Sequence, residues 1–286
     1  GASWAQVHTV SKEDIEFKPD DANIMYASGS DVVRSTNNGV NWTTLGVSQG
    51  ITNTGRTLVS VSAANPNIVY AVQASGSLFG RMYRSTDAGV TFTTTIVGSA
   101  SSGTQFFGYN PDGTGTSGQA TYDMGMDVSP TNADDVYIAG IICWRSINGG
   151  NSFTALTIWS YPNSLGYNHA DVHGLFWIGG ILYSISDGGI YKSTDFGDNW
   201  TDLSVGLTIR QFYRMANSQT NANVITGGAQ DNGTVTRQAS GNWADWLGAD
   251  GMEGLVSPTN HLNLWGTSQN GGIYRSTNGG NSYAGL

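Results

Sequence analysis

Four stretches of the chain share one rhythm: a short strand-like run, a turn rich in Pro, Asn and Asp, and a second, mainly apolar run. They are Ile15–Ala27, Val59–Ala71, Met126–Ile138 and Leu255–Trp265. In the first three, apolar and polar residues alternate at the start, as in Ile15-Glu-Phe17, Val59-Ser-Val61 and Met126-Asp-Val128. Period-two alternation closed by turn residues predicts strand, turn, strand. No apolar run approaches the roughly 18–20 residues of a membrane-crossing helix.

A ten-residue phrase recurs downstream of these stretches. It reads Val33-Arg-Ser-Thr-Asn-Asn-Gly-Val-Asn-Trp42, then Tyr83–Phe92, Trp144–Phe153, Tyr191–Trp200 and Tyr274–Tyr283, with a worn copy at Arg237–Trp243. Its skeleton is aromatic, basic, Ser, Thr, Asp or Asn, any residue, Gly, any residue, polar, aromatic. Each copy predicts a self-contained hairpin turn. The Asp or Asn side chain folds back onto nearby backbone N–H groups, and the Gly supplies a positive φ. The flanking aromatics then fall in the two strands and pack between sheets. A strand–turn–strand unit followed by this hairpin makes a four-stranded meander, which is a propeller blade. The serines Ser35, Ser85, Ser146 and Ser193 lie about 50 to 60 residues apart, as blade-sized repeats require.

The expected fold is therefore all-β: a single β-propeller over residues 1–286, of six four-stranded blades, with seven the alternative. Innermost strands are predicted near Ile15, Leu58, Asp123, Asp171, Arg210 and Gly251. Ser3–Val7 reads as an extra outermost strand. The chain stops just after a copy of the phrase, so it is expected to be part of a longer polypeptide whose other domains are its partners.

Composition agrees with short strands and tight turns. Of 286 residues, 40 are Gly and 22 are Trp or Tyr, while only 12% are charged. The formal charge of −9 with 12 Lys plus Arg excludes the basic stripe of a nucleic-acid binder. The single cysteine, Cys143, sits in the apolar run Ile141–Trp144 and reads as a buried small hydrophobe.

The phrase resembles the Asp-box, or BNR repeat, of sialidases, sortilin-type domains and xyloglucan-degrading propellers. Further motifs appear in order: Tyr122-Asp123, His169–Leu175, Ser186–Tyr191, Ile209–Arg214, Gly227–Gly233 and Ala249–Glu253. This series resembles the BNR-repeat propellers of Bacteroidetes secreted proteins, which often precede a type IX secretion sorting domain. The resemblance implies an extracellular or cell-surface location, without membrane insertion. A sialidase would need three arginines gripping a carboxylate. Arg34, Arg84, Arg145 and Arg275 belong to the repeated phrase and are expected to point away from any site.

A meander blade puts the phrase turns on one face and the strand 2–3 turns and blade-to-blade connections on the other. The second, or top, face is where the remaining motifs gather. Asp171, His173, Asp187, Asp231 and Asp250 are the candidate metal ligands. Ca²⁺ is the candidate cofactor, on the density of oxygen donors, although the fold requires none. His169 and His173 could instead recruit a transition metal. The candidate catalytic carboxylates are Asp171, Asp250 and Asp231, with Asp187 and Glu253 beside them. Glycoside hydrolysis needs two such groups about 5–10 Å apart across an open pocket. The long connections over residues 97–120 and 155–168 offer Phe106, Phe107, Tyr109, Trp159 and Tyr161 as ligand-binding aromatics, joined by Arg210 and Arg214. Trp42, Trp200 and Trp243 occupy phrase positions and are expected in the core. Two functions are open: a non-catalytic binding module taking a glycan or protein on the top face, and a glycoside hydrolase using paired top-face carboxylates.

Overall fold

The computed structural model describes residues 3, 5–160 and 166–286. It contains six four-stranded antiparallel sheets, each a meander in chain order, and only short 3₁₀ turns besides. The fold is all-β, with the six blades of a six-bladed β-propeller. The first sheet comprises Lys12–Lys18, Asp21–Gly29, Val32–Ser35 and Thr43–Leu45. The other five begin with the strands Thr57–Val61, Gly125–Val128, Val172–Ile178, Phe212–Asn217 and Gly251–Val256. These starts match the predicted innermost strands. Ser3 and Ala5–Val7 form no strand, so the extra outermost strand expected there is absent among the described residues. The sixth sheet carries its own fourth strand, Ala284–Gly285.

The chain divides into two compact units, Gly1–Val205 with four sheets and Gly206–Leu286 with two. In the first unit the sheets stack through separate apolar layers, because their second strands are covered on both sides. Along Val69–Ser75, Val69 and Ala71 join the layer with Tyr26, Val59 and Tyr83. Tyr70 and Val72 join the next layer, with Met82, Phe107 and Trp144. The strand Val136–Ala139 divides in the same way: Val136 and Ile138 lie in that layer, Tyr137 and Ala139 in a third with Leu175 and Leu182. Side chains alternate across a strand, so one continuous apolar run feeds two interfaces. In the second unit Trp246, Leu247 and Leu264 form the layer. Cys143 is buried, and burial pushes its thiol up to about 12, which leaves it unreactive.

The repeated phrase folds identically in all five full copies. In each, the Ser hydroxyl donates to the Asp or Asn carbonyl-type oxygen, as in Ser193 to Asp195 at 2.8 Å and Ser35 to Asn37 at 3.0 Å. The Gly N–H donates to the same Ser Oγ. The N–H four residues beyond the Asp or Asn donates to its side-chain oxygen. Positive φ extends to the residue before the Gly as well: Asn38, Ala88, Gly149, Phe196 and Gly279 all lie between 54° and 70°. Ser193→Ala removes one donor and one acceptor from such a turn. It is expected to lower unfolding free energy by about 1–2 kcal/mol, readable by urea denaturation.

The phrase also joins neighbouring sheets. The Tyr26 hydroxyl and Arg34 Nε both donate to the Ala88 carbonyl of the second sheet's turn, at 2.6 and 2.9 Å. Tyr70 donates to the Ala133 carbonyl and Arg84 to Asp134, each at 2.8 Å. Arg145 makes two bonds to Asp135 and stacks over Phe196 of the fourth sheet at 5.0 Å. The phrase arginines are thus structural, as expected, and Arg275 lies over Trp265.

Trp42 and Trp200 are partly buried, but Trp243 is 55% exposed. The worn copy explains this difference: without the Ser–Asp–Gly network, the core position passes to Trp246. That indole is buried and donates to Thr236 Oγ1 at 3.0 Å.

Candidate functional site

Two connections and two strand ends converge at the top of the first unit. Residues 98–124 lead into the third sheet and place Tyr109, Gln119, Tyr122 and Asp123. The start of the fourth sheet supplies Asp171 and His173, and the turn after its second strand supplies Asp187. Asp171 has a φ of +61°, uncommon for a residue with a side chain; its backbone carbonyl accepts from the Asp187 N–H at 3.3 Å.

Each carboxylate here is held. The Gln119 amide donates to Asp171 at 2.6 Å. The Tyr122 hydroxyl donates to Asp187 Oδ2 at 2.9 Å, and His173 Nε2 lies 2.8 Å from Asp187 Oδ1. The Tyr122 and His173 rings meet edge to face at 4.9 Å. Oxygens of Asp171 and Asp187 lie within 4.8 Å of one another. Asp123 is fully buried, and its protonated carboxyl donates to the Asp171 carboxylate. Burial first, then the negative Asp171, pushes Asp123 up to about 8. Burial and the adjacent Asp187 also raise Asp171, against the opposing pull of His169 and Gln119.

The same connection carries Tyr109, which forms an exposed aromatic pair with Trp159. Trp159 is 40% exposed and Tyr109 39%. The Trp159 indole donates to the Tyr109 carbonyl at 3.1 Å, and the rings pack edge to face at 5.9 Å. The Tyr109 hydroxyl is raised by burial and then by the charges of Asp171 and Asp123. Tyr122 is half exposed. Tyr161 lies outside the described residues.

Phe106 and Phe107 do not serve a ligand. They are 2% and 0% exposed and pack against Phe79, while Phe106 also meets Trp144 and Phe153. A long connection suggested surface, yet its aromatic pair is driven into the layer between the second and third sheets. His169 lies against Gly188, leaving no room there for a Cβ, and its Nδ1 is 3.0 Å from the Ala170 carbonyl.

In the second unit the named residues also find partners. Asp250 accepts from the Asp231 N–H at 2.8 Å, and its own N–H donates to Gln269. Arg210 pairs with Asp245 at 2.8 Å and donates to the Asn232 carbonyl. Arg214 and Glu253 approach to 3.4 Å.

Three further acids in the first unit went unanticipated: Asp14, Glu16 and Asp127, all on innermost strands. Asp14 accepts from the Val59 N–H at 2.8 Å and Asp127 from the Trp177 N–H at 2.6 Å, so each pegs its strand to a neighbouring one. Glu16 is pushed up to about 8 by burial and then by Asp14 and Asp127. The available signal was a lone acid between apolar residues, as in Ile15-Glu-Phe17 and Met126-Asp-Val128.

No family model and no curated protein matches the chain. Solved structures do. The GH74 enzyme of Niastella koreensis is 18% identical, with a TM-score of 0.49, over 96% of this chain and 45% of its own. YCF48 from Cyanidioschyzon merolae is 16% identical, with a TM-score of 0.48, over 99% and 88%. PorZ, a surface component of the type-IX secretion system of Porphyromonas gingivalis, is 12% identical, with a TM-score of 0.47, over 93% and 33%. No family follows from them. The chain spans less than half the length of the first.

Proposed function

We propose that this protein is a non-catalytic binding propeller of the Asp-box type, acting in a secreted or cell-surface bacterial protein. Its ligand, a glycan or a protein, seats on the top face of the first unit. The observation that carries this reading is the exposed pair Tyr109–Trp159, whose tyrosine feels the charge of carboxylates already committed to neighbours. Aromatic faces with a few fixed polar groups suit a sugar ring or a peptide.

The same carboxylates argue against glycoside hydrolysis. That reaction needs a protonated acid able to reach the leaving oxygen. The carboxyl that burial keeps protonated, Asp123, has no exposed surface. The Asp-box assignment draws support from the five identical Ser–Asp/Asn–Gly networks. Type IX export rests on the motif series alone.

A glycan array and capture of surface proteins from a bacterial culture, each followed by affinity measurement, test the reading. Trp159→Ala and Tyr109→Ala are each expected to weaken binding about tenfold, the equivalent of about 1.4 kcal/mol. A parallel hydrolysis screen carries the opposite outcome. Glycan turnover abolished by Asp171→Ala would replace the binding module with the enzyme.

A further inference from the structure

At each of the three junctions between sheets of the first unit, a tyrosine and an arginine are paired across the second and third strands: Tyr26 with Arg34, Tyr70 with Arg84 and Tyr137 with Arg145. Two of these tyrosines end on main chain of the next sheet, Tyr26 at the Ala88 carbonyl and Tyr70 at the Ala133 carbonyl. The junction within the second unit is built differently. In the second sheet the Ser62 N–H donates to the Ile68 carbonyl, and in the fifth sheet Ser218 donates to Val224 in the same way. Two residues further on stand Tyr70 and Thr226, whose cross-strand partners are Arg84 and Thr236. Two threonines, with Thr236 donating to Thr226 at 2.8 Å, thus hold the places of a tyrosine and an arginine.

The smaller pair adjoins a cavity of about 190 Å³. Val224, Thr236 and Ala239 line it from the fifth sheet, and His261, Leu262 and Gly279 from the sixth. The main chain that would receive a tyrosine is still in place. The Gly149 N–H donates to the Asp134 carbonyl in the third sheet, and the Gly279 N–H to the Leu262 carbonyl in the sixth. His261, one residue earlier, therefore matches Ala133, and its carbonyl accepts from no described residue. Gly279 matches Ala88, whose carbonyl accepts both the Tyr26 hydroxyl and Arg34 Nε. The Gly279 carbonyl accepts one side-chain bond, from Gln238 at 2.9 Å, although a carbonyl oxygen has two acceptor sites. Apolar walls that end on such carbonyls suit a flat ring with a donor at its tip. The volume is below that of a drug-sized pocket and fits one side chain.

We propose that this cavity takes the phenol side chain of a tyrosine presented by a partner protein, as the first two junctions take Tyr26 and Tyr70 from this chain itself. The ring lies against Val224 and Leu262, and its hydroxyl donates to the His261 or Gly279 carbonyl. Leu262, 44% exposed, marks the mouth, and the cavity continues the interface between the fifth and sixth sheets. A phenylalanine would leave the carbonyl unmatched, which costs binding. An arginine would find no carboxylate among the lining residues, unlike Arg84 with Asp134 and Arg145 with Asp135. The site shares no residue with the Tyr109–Trp159 face, so the two readings fail separately.

The experiment titrates N-acetyl-L-tyrosinamide into the whole, isotope-labelled chain and follows the amide chemical shifts. Saturable shifts are expected at Gln238, His261, Leu262 and Gly279, with a dissociation constant on the order of 1 mM. N-acetyl-L-phenylalaninamide should bind about fivefold more weakly, the worth of one hydrogen bond. p-Cresol, a phenol without main chain, should bind no more tightly than the tyrosine amide. Thr226→Tyr supplies the phenol from within the chain and is expected to weaken binding at least tenfold. Leu262→Ala removes an exposed apolar wall without touching the core, and about a threefold loss is expected; near-ultraviolet circular dichroism checks its fold, so this variant decides the matter if Thr226→Tyr does not fold. Trp159→Ala, in the first unit, should leave binding unchanged. The proposal is overturned by titration that does not saturate at ten times the expected constant, or by shifts at Tyr109 and Trp159 in place of the cavity. Equal binding of the phenylalanine amide, tighter binding of p-cresol, or binding that Leu262→Ala leaves intact overturns it as well.

Discussion

The protein is expected to lose stability as pH rises from about 4 to 8, and Asp123→Asn is expected to remove much of that slope. The folded state holds the Asp123 proton up to about pH 8, whereas an unfolded aspartate releases it near pH 4. Across that window the native state binds more protons than the unfolded chain, so unfolding becomes easier with each unit of pH. Above about pH 8 the loss is complete. A shift of this size corresponds to a loss on the order of 5 kcal/mol. Glu16, also pushed up to about 8, adds a slope of the same sign that the variant retains. Asp195 works in the other direction. Its side-chain bond from Asn199 holds it below its ordinary value, so its contribution disappears as the medium becomes more acidic than pH 4. Stability should peak between about pH 4 and 6. Urea denaturation at pH 5 and pH 9 is the measurement. The variant should resemble the wild type at pH 5 and exceed it by several kcal/mol at pH 9; equal pH profiles would contradict a carboxyl that folding keeps protonated.

Gly50→Ala should be the most damaging single methyl addition in the connection between the first two sheets. Gly50 closes a short 3₁₀ turn at φ +84°, and a Cβ there would lie 1.9 Å from the Phe92 carbonyl oxygen. That oxygen is main chain, next to the Phe92 N–H bond to Gln49 at 2.7 Å, so neither side yields cheaply. Left-handed strain costs an alanine about 1–2 kcal/mol and overpacking about 1–3 more, giving about 2–5 kcal/mol in total. Gly76→Ala is the matched control. It shares a positive φ but has nothing within 4 Å of its Cβ, so only the first cost applies. Thermal and urea unfolding of the pair separate crowding from backbone strain. Equal losses would mean that the Phe92 carbonyl moves aside freely.

The fold was legible because the repeated phrase carries its own turn chemistry. Ser, Asp or Asn, and Gly at fixed offsets close the same bonds wherever they occur, so no distant contact is needed to interpret them. The doubled left-handed conformation was less visible, since Asn38, Ala88 and Phe196 share no chemistry that announces it. Phe106 and Phe107 were misread because loop length speaks of surface while two adjacent aromatics seek an apolar layer. Trp243 was misread because the worn copy keeps the aromatic but loses the turn that would aim it. At the candidate site, Tyr122, Asp171, His173 and Asp187 were expected to gather from their place in the meander, and they lie together. Gln119 was not, because a glutamine in a glycine-rich connection looks like any polar loop residue. Asp14, Glu16 and Asp127 lay in plain view, but only the packing of neighbouring inner strands shows what they hold.

The acceptor that Tyr26 and Arg34 share is a main-chain carbonyl, at a position where the other copies of the phrase carry Asn38, Gly149, Phe196 and Gly279. A contact written in backbone asks of the side chain at that place only that it tolerate the left-handed φ. Any replacement of Ala88 that keeps that conformation therefore leaves the first and second sheets fastened at this point.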